Sequence, residues 1–331
     1  MMKLAWLSVL FQILFFASAK AQGQEPHIHM VVFRGCEEAC QGFNTYFEQR
    51  QTPVRITVTD IARNRDLLPG IGDRLRDEQP DLVVTWGTAV TQGLLGRRSE
   101  LGDATALGSI PAMFMIVADP VGADIIESYE TISRRAVFGV HNRVPEDVQL
   151  RTMFEYFKPS KLGIVNNPAE VNSVLNTERI KALAPELKVE LVVVNYALDI
   201  DENPNVNEIP ALLAQLKSAG AEAIYVGSNS FNLQHREAFT HAAVELGLPV
   251  FSAYKQMISD GQGLMAVASS YSNVGRLAAR QANRFLFEGV SPEALSIAQL
   301  DRYSVFINMN TAQSLGLYPT IQLVGLAEIV Q

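Results

Sequence analysis

Short apolar runs rich in β-branched residues alternate with amphipathic stretches along most of the chain. Most of these runs lack polar alternation, which is typical of strands that helices cover on both faces. The pattern predicts βαβ units that build parallel sheets. The predicted strands fall into two sets, at 29–33, 55–59, 82–86 and 112–117 and then at 162–166, 190–195, 223–226 and 250–253, with later runs at 264–268 and 303–308.

The stretches between the strands repeat apolar residues at helical spacing. The runs from Leu150 to Phe157 and from Ile209 to Leu216 each place apolar residues at i, i+3, i+4 and i+7, which predicts one buried stripe on a helix. A third helix is predicted between an N-cap at Ser272 and a helix end near Gly289.

Two sets of strands with their own helices predict an α/β protein with two doubly wound parallel-sheet lobes, each of a usual domain size of roughly 130 to 160 residues. A multi-strand hinge would join the lobes, and residues 138–145 are the expected first crossing. Ligands of open parallel α/β sheets lie outside the carboxyl ends of the strands. Two such lobes that face each other therefore predict a cleft lined by the residues that follow each strand.

The N-terminus has the features of a secretory signal peptide. Lys3 precedes an apolar run over residues 4–16, and Ala19, Lys20 and Ala21 form a small-x-small cleavage site. The run is shorter than the roughly 20 apolar residues of a membrane span, and no Cys follows it as in a lipoprotein. We therefore expect residues 1–21 to be removed near Ala21 and the mature protein to be free in the periplasm.

The formal net charge is -8, and no Lys/Arg cluster occurs. Both nucleic acids and anionic membranes bind concentrated basic patches, so neither is an expected partner. A small molecule or a protein is the expected partner, and we expect a monomer.

The two cysteines are Cys36 and Cys40, four positions apart. They form either a local disulfide, which an oxidising compartment permits, or a pair of unreactive thiols. No Cys-x-x-Cys pair occurs, and none of the five histidines has the spacing of a metal ligand or a catalytic triad. No Walker A, GxSxG or HExxH motif is present. We therefore expect no metal, no cofactor and no catalytic residue.

Polar and tyrosine side chains follow the predicted strands, where the cleft is expected. The set offers many hydrogen-bonding groups but no pair of nucleophile and base, so it indicates binding rather than catalysis. The candidate ligand-binding residues are Arg34, Thr88, Asp119, Asn166, Glu170, Asn172, Ser228, Asn229, Tyr254 and Tyr271.

Two of these residues are candidates for holding a carboxylate. Thr88 follows Gly87 at a strand-to-helix turn, so its hydroxyl and the free N–H groups of the first helical turn either bind an anion or serve only to cap the helix. Arg34 either clamps a carboxylate with its planar guanidinium or pairs on the surface with Glu37 or Glu38.

The other candidates also have structural alternatives. Tyr254 and Tyr271 either stack against a ring of the ligand or belong to the core. Glu170 either binds a ligand amine or stabilises the positive end of the helix that begins there. Asp119, which precedes Pro120, either faces the ligand or bonds the backbone of a turn.

Several segments together resemble a known family, in the same order over nearly the whole mature chain. They are residues 81–88, 110–122, 162–173, 248–251, 271–276, 307–312 and 315–316. From about His29 to Pro319 the sequence resembles the ABC transporter substrate-binding family that includes tryptophan- and tyrosine-binding proteins, with the type I periplasmic binding protein fold.

The resemblance implies a chain that visits each lobe twice, with residues 22–141 plus 270–300 in the N-terminal lobe and 142–269 plus 301–331 in the C-terminal lobe. It places Thr88, Asp119, Glu170, Asn172, Asn229 and Tyr271 at or near the ligand. Asn229 departs from the family pattern, since many relatives carry Asp there, and the segment 34–36 is also unlike the usual family start. An acid at position 229 would pair with an α-amino group, so these departures leave the ligand open.

The expected function is the periplasmic solute-binding component of an ABC importer. It would capture a small polar or aromatic, amino-acid-like metabolite by hinge closure and dock on a permease in the inner membrane. One alternative is a ligand-sensing protein for a membrane receptor. Another is a two-lobed amino-acid racemase, but that enzyme needs one Cys from each lobe, whereas Cys36 and Cys40 share one segment.

Overall fold

The computed structural model describes residues 25–129, 134, 136–300 and 303–330. The predicted signal peptide lies outside this part of the chain. No helix within the described residues has both the length and the apolar character that a membrane crossing requires.

The strands of the described residues belong to two sheets. The first sheet has the order β11-β5-β4-β3-β1-β2, and the second has the order β13-β12-β10-β9-β8-β6-β7. In chain order they are β1 (His27–Val32), β2 (Arg55–Asp60), β3 (Leu82–Trp86), β4 (Ala112–Val117), β5 (Val137–His141), β6 (Lys161–Asn166), β7 (Glu190–Asn195), β8 (Ala223–Val226), β9 (Val250–Ser252), β10 (Met265–Ala268), β11 (Ala298–Gln299), β12 (Ser304–Asn308) and β13 (Ala327–Val330).

Neighbouring strands run parallel throughout both sheets except where β12 lies antiparallel to β10. Buried apolar side chains cover both faces of each sheet, as expected for parallel sheets between helical layers. The prediction of an α/β protein with two mostly parallel sheets in two lobes is confirmed. All ten predicted strands are present, and their ends lie within two residues of the prediction.

The predicted first crossing at 138–145 is partly wrong. Val137–His141 forms β5, a fully buried strand of the first sheet, and only residues 142–145 connect it to the second lobe. Gly139 lies against the ring of Phe114 on β4, which leaves no room for a Cβ atom, so a glycine is needed within this strand. The short strands β11 and β13 were also absent from the prediction.

The helices of the described residues connect the strands and cover the sheets. They are α1 (Glu38–Arg50), α2 (Leu68–Glu78), α3 (Thr88–Leu95), α4 (Arg98–Leu101), α5 (Glu146–Tyr156), α6 (Val171–Leu187), α7 (Ile209–Ser218), α8 (Ser230–Gln234), α9 (Arg236–Glu245), α10 (Gln256–Ser259), α11 (Tyr271–Glu288), α12 (Met309–Leu315) and α13 (Ile321–Val324), with 3₁₀ turns at Arg65–Leu67, Val206–Glu208 and Pro292–Ala294.

The three helices predicted from spacing correspond to α5, α7 and α11. Helix α11 starts earlier than predicted, because the hydroxyl of Ser270, not of Ser272, accepts the capping hydrogen bond from the N–H of Asn273. It ends as predicted at Gly289, whose φ of 69° is the left-handed conformation that glycine adopts readily.

Helix α11 follows β10 of the second sheet but packs on the first lobe. It crosses α1 where Gly42 faces Ser272 and Gly275 faces Ala39, so closely that a Cβ on either glycine would collide with backbone. Tyr271, at the start of α11, packs against apolar clusters of both lobes. The chain therefore passes between the lobes after β5, after β10 and between β11 and β12. The individual boundary residues of the lobes stay a prediction.

Candidate functional site

A cavity of about 50 Å³ lies between the lobes, where the carboxyl ends of the two sets of strands face each other. Its walls come from both lobes, and they combine aromatic, charged and hydroxyl side chains. The lining residues are Phe33, Arg34, Arg65, Trp86, Gly87, Thr88, Ala89, Ile116 and Ala118 on one side and Glu170, Asn172, Ser228, Ser230 and Tyr254 on the other.

The cavity continues outward into a groove of about 590 Å³ that also runs between the lobes. Phe33, Arg65, Glu170 and Ser230 line both spaces. Farther out, the groove is bounded by the loop after β2 on one side and by Phe231 and residues 201–204 on the other. A small inner space that opens into a larger outer one suits a ligand with one compact polar end.

The structure brings six of the ten candidate residues together in the cavity wall. They are Arg34, Thr88, Glu170, Asn172, Ser228 and Tyr254. Tyr271 lines a neighbouring hollow of about 200 Å³, which shares Tyr254 with the cavity.

Two candidates, Asn166 and Asn229, do not line the cavity. The Asn166 amide donates to Asn195 and its carbonyl accepts from Ser173. Asn229 caps α8 by accepting from the N–H of Asn232, and its amide donates to the Ser173 hydroxyl at 3.1 Å. Both side chains are used within their own lobe, because the buried turns after β6 and β8 need hydrogen-bond partners of their own.

Asp119 also lies away from the cavity wall. Its Oδ1 accepts a hydrogen bond from the N–H of Gly122, so it does bond the backbone of the turn after β4. Its Oδ2 forms an ion pair with Arg179 on α6 of the other lobe. Asp119 therefore connects the lobes beside the cavity.

Arg34 both pairs with Glu37 and lines the cavity, so it combines features of the two alternatives that the sequence left open. Its Nε and Nη2 donate to the two carboxylate oxygens of Glu37 at 2.8 and 3.2 Å, yet its side chain is only 8% exposed and lines the cavity. The guanidinium carbon lies 5.2 Å from the ring centroid of Trp86. Burial lowers the pKa of Arg34, but the hydrogen bond and charge of Glu37 outweigh it and the pKa is raised, so the group stays positive.

Thr88 is the first residue of α3 rather than its cap. Gly87 occupies the N-cap position with φ 92° and ψ 156°, and no side chain accepts a capping hydrogen bond there. The N–H groups of a first helical turn have no acceptor within their own helix. Because Gly87, Thr88 and Ala89 all line the cavity, the positive end of α3 faces it.

Glu170 is the acidic residue of the cavity wall and is only 7% exposed. Its Oε1 accepts from the Asn172 amide and from the N–H of Ser230, each at 2.9 Å. The carboxylate therefore accepts from the start of α8. Glu170 is also the N-cap residue of α6, but its side chain makes no capping hydrogen bond to that helix. No Lys, Arg or His within the described part of the chain forms an ion pair with Glu170, so its charge is available to a cationic group.

The two tyrosines near the cavity are both neutral phenols. Burial raises the pKa of Tyr254 well above its ordinary value, and it raises the pKa of Tyr271 as well. Tyr254 belongs to the core of the second lobe while also lining the cavity. Tyr254 is therefore both a core residue and a residue of the cavity wall.

Trp86, Ile116 and Arg65 line the cavity although the sequence did not indicate them. Trp86 and Ile116 lie within buried strands, and the sequence pattern predicted them only as strand residues. Ile116 has φ 56°, unusual for a β-branched residue, at an irregularity of β4 between Phe114 and Val117. Arg65 lies in the 3₁₀ turn well past the end of β2, and its guanidinium reaches the carbonyl of Ala169 across the cleft at 3.4 Å.

Cys36 and Cys40 form a disulfide, with their Cα atoms 5.0 Å apart. The bond joins the loop after β1 to the first turn of α1, and Glu37 lies inside the ring that it closes. It therefore supports the residue that holds Arg34. Among the described residues, no group of three or more His, Cys, Asp or Glu side chains is placed to hold a metal ion.

A larger hollow of about 720 Å³ lies on the second lobe between α9, α10 and α12. All of its lining residues come from that lobe. Of its two acidic residues, Asp260 is already paired with Arg236 at 3.3 Å and Glu237 is exposed to solvent. The interlobe cavity, which collects unpaired donors and a buried carboxylate from two lobes, is the better candidate site.

The model of the ABC transporter substrate binding protein family matches residues 53–329. The chain belongs to this family. It is the substrate-binding component of an ABC transporter and not an enzyme, which confirms the resemblance and sets the racemase alternative aside.

Individual relatives agree with this assignment. The chain is 22% identical over 265 residues to a tyrosine-binding protein of Clostridioides difficile (strain R20291), which covers 80% of this chain and 71% of the relative. A conserved domain protein from Vibrio cholerae has the same fold, with a TM-score of 0.80 and 20% identity over 93% of this chain and 100% of the other. A Streptococcus pneumonia ABC domain in complex with L-Trp superposes with a TM-score of 0.77. It is 18% identical to this chain, and the match covers 92% of this chain and 100% of the other.

Proposed function

We propose that the chain captures a free α-amino acid in the periplasm and delivers it to the permease of its transporter. The observation that carries this proposal is the opposition of charges in one cavity. Arg34 and the start of α3 supply positive charge from the first lobe, and the buried carboxylate of Glu170 supplies negative charge from the second. This arrangement matches the carboxylate and ammonium groups of a zwitterion.

An aromatic side chain is the favoured substituent of this amino acid. The outer groove carries Phe33 on one side and Phe231 on the other, and an aromatic ring between them would gain both buried area and ring contacts. The relatives named for tyrosine and L-Trp support the same class.

Capture requires the lobes to part and close again. The inner cavity of about 50 Å³ admits a group the size of a few water molecules, so an entire amino acid enters only when the cleft widens. The three chain crossings provide the hinge, and closure excludes water from the charged groups. Micromolar affinity, about 8 kcal/mol, is within reach of several charge-assisted hydrogen bonds and one buried ring.

Delivery to the permease rests on membership in the transporter family, and the location rests on the predicted signal peptide. We propose cleavage after Ala21, so that the secreted chain starts at Gln22. Mass spectrometry of chain purified from the periplasm of a bacterial host measures this terminus directly.

The test of the ligand is a calorimetric titration of the secreted chain with L-tyrosine, L-tryptophan and L-phenylalanine, each paired with its analogue that lacks the α-amino group. We expect an amino acid to bind and its deaminated analogue to bind at least about tenfold more weakly. In Glu170→Gln this preference should shrink, whereas Glu237→Gln, an exposed acid on α9, should leave it intact. Failure of every amino acid to bind would refute the proposal.

A further inference from the structure

The indole of Trp86 is a buried donor without an acceptor. Trp86 is 3% exposed and lines the interlobe cavity, and its Nε1 has no hydrogen-bond partner among the described residues. A buried donor left unpaired is costly, and folded proteins almost always satisfy such groups. Because Trp86 lines the cavity, a molecule bound there can supply the missing acceptor.

The surroundings of Trp86 define the chemistry of that acceptor. The guanidinium of Arg34 lies 5.2 Å from the centroid of the Trp86 ring, and Arg34 remains positive. The N–H groups at the start of α3, directly after Trp86, also face the cavity. Three kinds of donor thus meet at this end of the cavity, while Glu170 lies on the opposite lobe, so the acceptor at the Trp86 end is an anion.

The size of the inner cavity limits which anionic group can be the acceptor. The inner cavity of about 50 Å³ accommodates a planar carboxylate but not an aromatic ring, which must extend into the outer groove. A carboxylate has two oxygens, so it can accept from the indole N–H and from the charged donors at once.

We propose that Nε1 of Trp86 donates a hydrogen bond to the carboxylate of the bound amino acid and so makes Trp86 a specificity-determining residue. This inference rests on the proposed function. It adds a neutral, directional donor that distinguishes a carboxylate from other groups of similar size. Ligands without a carboxylate leave the indole unpaired, so the cavity rejects them.

The test compares L-tyrosine with tyramine, which lacks only the carboxylate, on the wild-type chain and on Trp86→Phe. Phenylalanine keeps an aromatic ring at position 86 and removes the N–H. We expect Trp86→Phe to weaken the binding of L-tyrosine roughly ten- to a hundredfold. The weaker binding of tyramine should change by less than about twofold. An equal loss for both probes, or no loss for L-tyrosine, would overturn the inference.

A second measurement needs no variant. The sequence contains two tryptophans, Trp6 in the predicted signal peptide and Trp86, so the secreted chain has a single indole N–H. We expect its proton resonance to move downfield when L-tyrosine is added to nitrogen-15-labelled chain, as a new hydrogen bond requires. Binding of L-tyrosine without this shift overturns the role of Trp86 alone, whereas a chain that binds neither probe overturns the proposed function and this inference with it.

Discussion

Asp119 at the end of β4 and Arg179 on α6 form an ion pair that joins the two lobes beside the cavity. The Asp119 side chain is buried, while that of Arg179 is partly exposed. The same interface contains the contact of Arg65 with the carbonyl of Ala169. Both contacts link the two lobes across the cleft, so we expect them to favour closure.

Replacement of Arg179 by Gln should weaken closure. The variant leaves the buried carboxylate of Asp119 without its cation, so the affinity for the amino acid should fall roughly threefold, through faster dissociation. Stopped-flow fluorescence measures the dissociation rate. Arg76→Gln removes an exposed ion pair with Asp73 that lies within one lobe, and it should leave the rate unchanged. An unchanged rate in Arg179→Gln would show that the pair does not stabilise closure.

The disulfide should matter for binding as well as for stability. Replacing both Cys36 and Cys40 by Ser should lower the free energy of unfolding by about 2 kcal/mol, because a short covalent ring is lost. The double replacement should also lower the affinity for the amino acid roughly threefold, since Glu37 inside the ring holds Arg34 in the cavity wall. Denaturant titration and calorimetry measure the two effects.

A double-mutant comparison separates positioning from general destabilisation. In a Glu37→Gln background the link between the ring and Arg34 is already broken, so the loss of the disulfide should have little further effect on affinity. An equal loss of affinity with and without Glu37 would mean that the disulfide acts by another route.

Gly87 should not tolerate a side chain. Its φ of 92° and ψ of 156° lie in a region that glycine alone occupies readily, so Gly87→Ala should destabilise the protein by about 1–3 kcal/mol. The variant should also lower the affinity for the amino acid, because the start of α3 must shift. Gly70, inside α2 with open space around it, is the matched control. Gly70→Ala should be neutral or stabilising by up to about 1 kcal/mol, and thermal denaturation compares the two.

His141 should make stability depend on pH. Burial, and then the charge of Arg143, lower the pKa of His141 from 6.5 to about 4. As the pH falls below 6.5 the unfolded chain takes up a proton that the folded chain takes up only near pH 4. This group should therefore lower the free energy of unfolding by about 3 kcal/mol between about pH 7 and pH 4.

Denaturant titrations across this range test the prediction. His141→Gln should flatten the pH dependence, whereas His241→Gln, at an exposed position on α9, should not. If His141→Gln retains the full wild-type slope, the titration of another group is responsible.

The sequence was sufficient for ten of the thirteen strands of the described residues and for the general position of the candidate site. Apolar runs bounded by turns defined ten strands, and the rule that parallel sheets bind ligands at their carboxyl ends led to Arg34, Thr88, Glu170 and Tyr254. The ends of strands are fixed by local pattern, which explains this success. Strand β5 was missed because Gly139 and the short run around it resemble a linker, and only its packing against Phe114 shows that it is a strand.

The details of the site depended on side-chain directions that a sequence does not contain. Trp86 was predicted only as the last residue of an apolar strand, and nothing in the sequence shows that its Nε1 lacks a partner. Asn166 and Asn229 have the right position for the cavity, but Ser173 and Asn232 engage them within their own lobe. Competition among buried hydrogen-bonding groups is settled only in three dimensions.

The close crossing of α1 and α11 has a consequence for how the chain folds. The apolar face of the first sheet beneath these helices contains Ile28, Met30 and Val84, and its cover is incomplete until residues 271–288 have been synthesised. The strands of the second lobe from β6 to β10 leave the ribosome before that happens. The first lobe thus completes its core only near the end of translation, after most of the second lobe has been made.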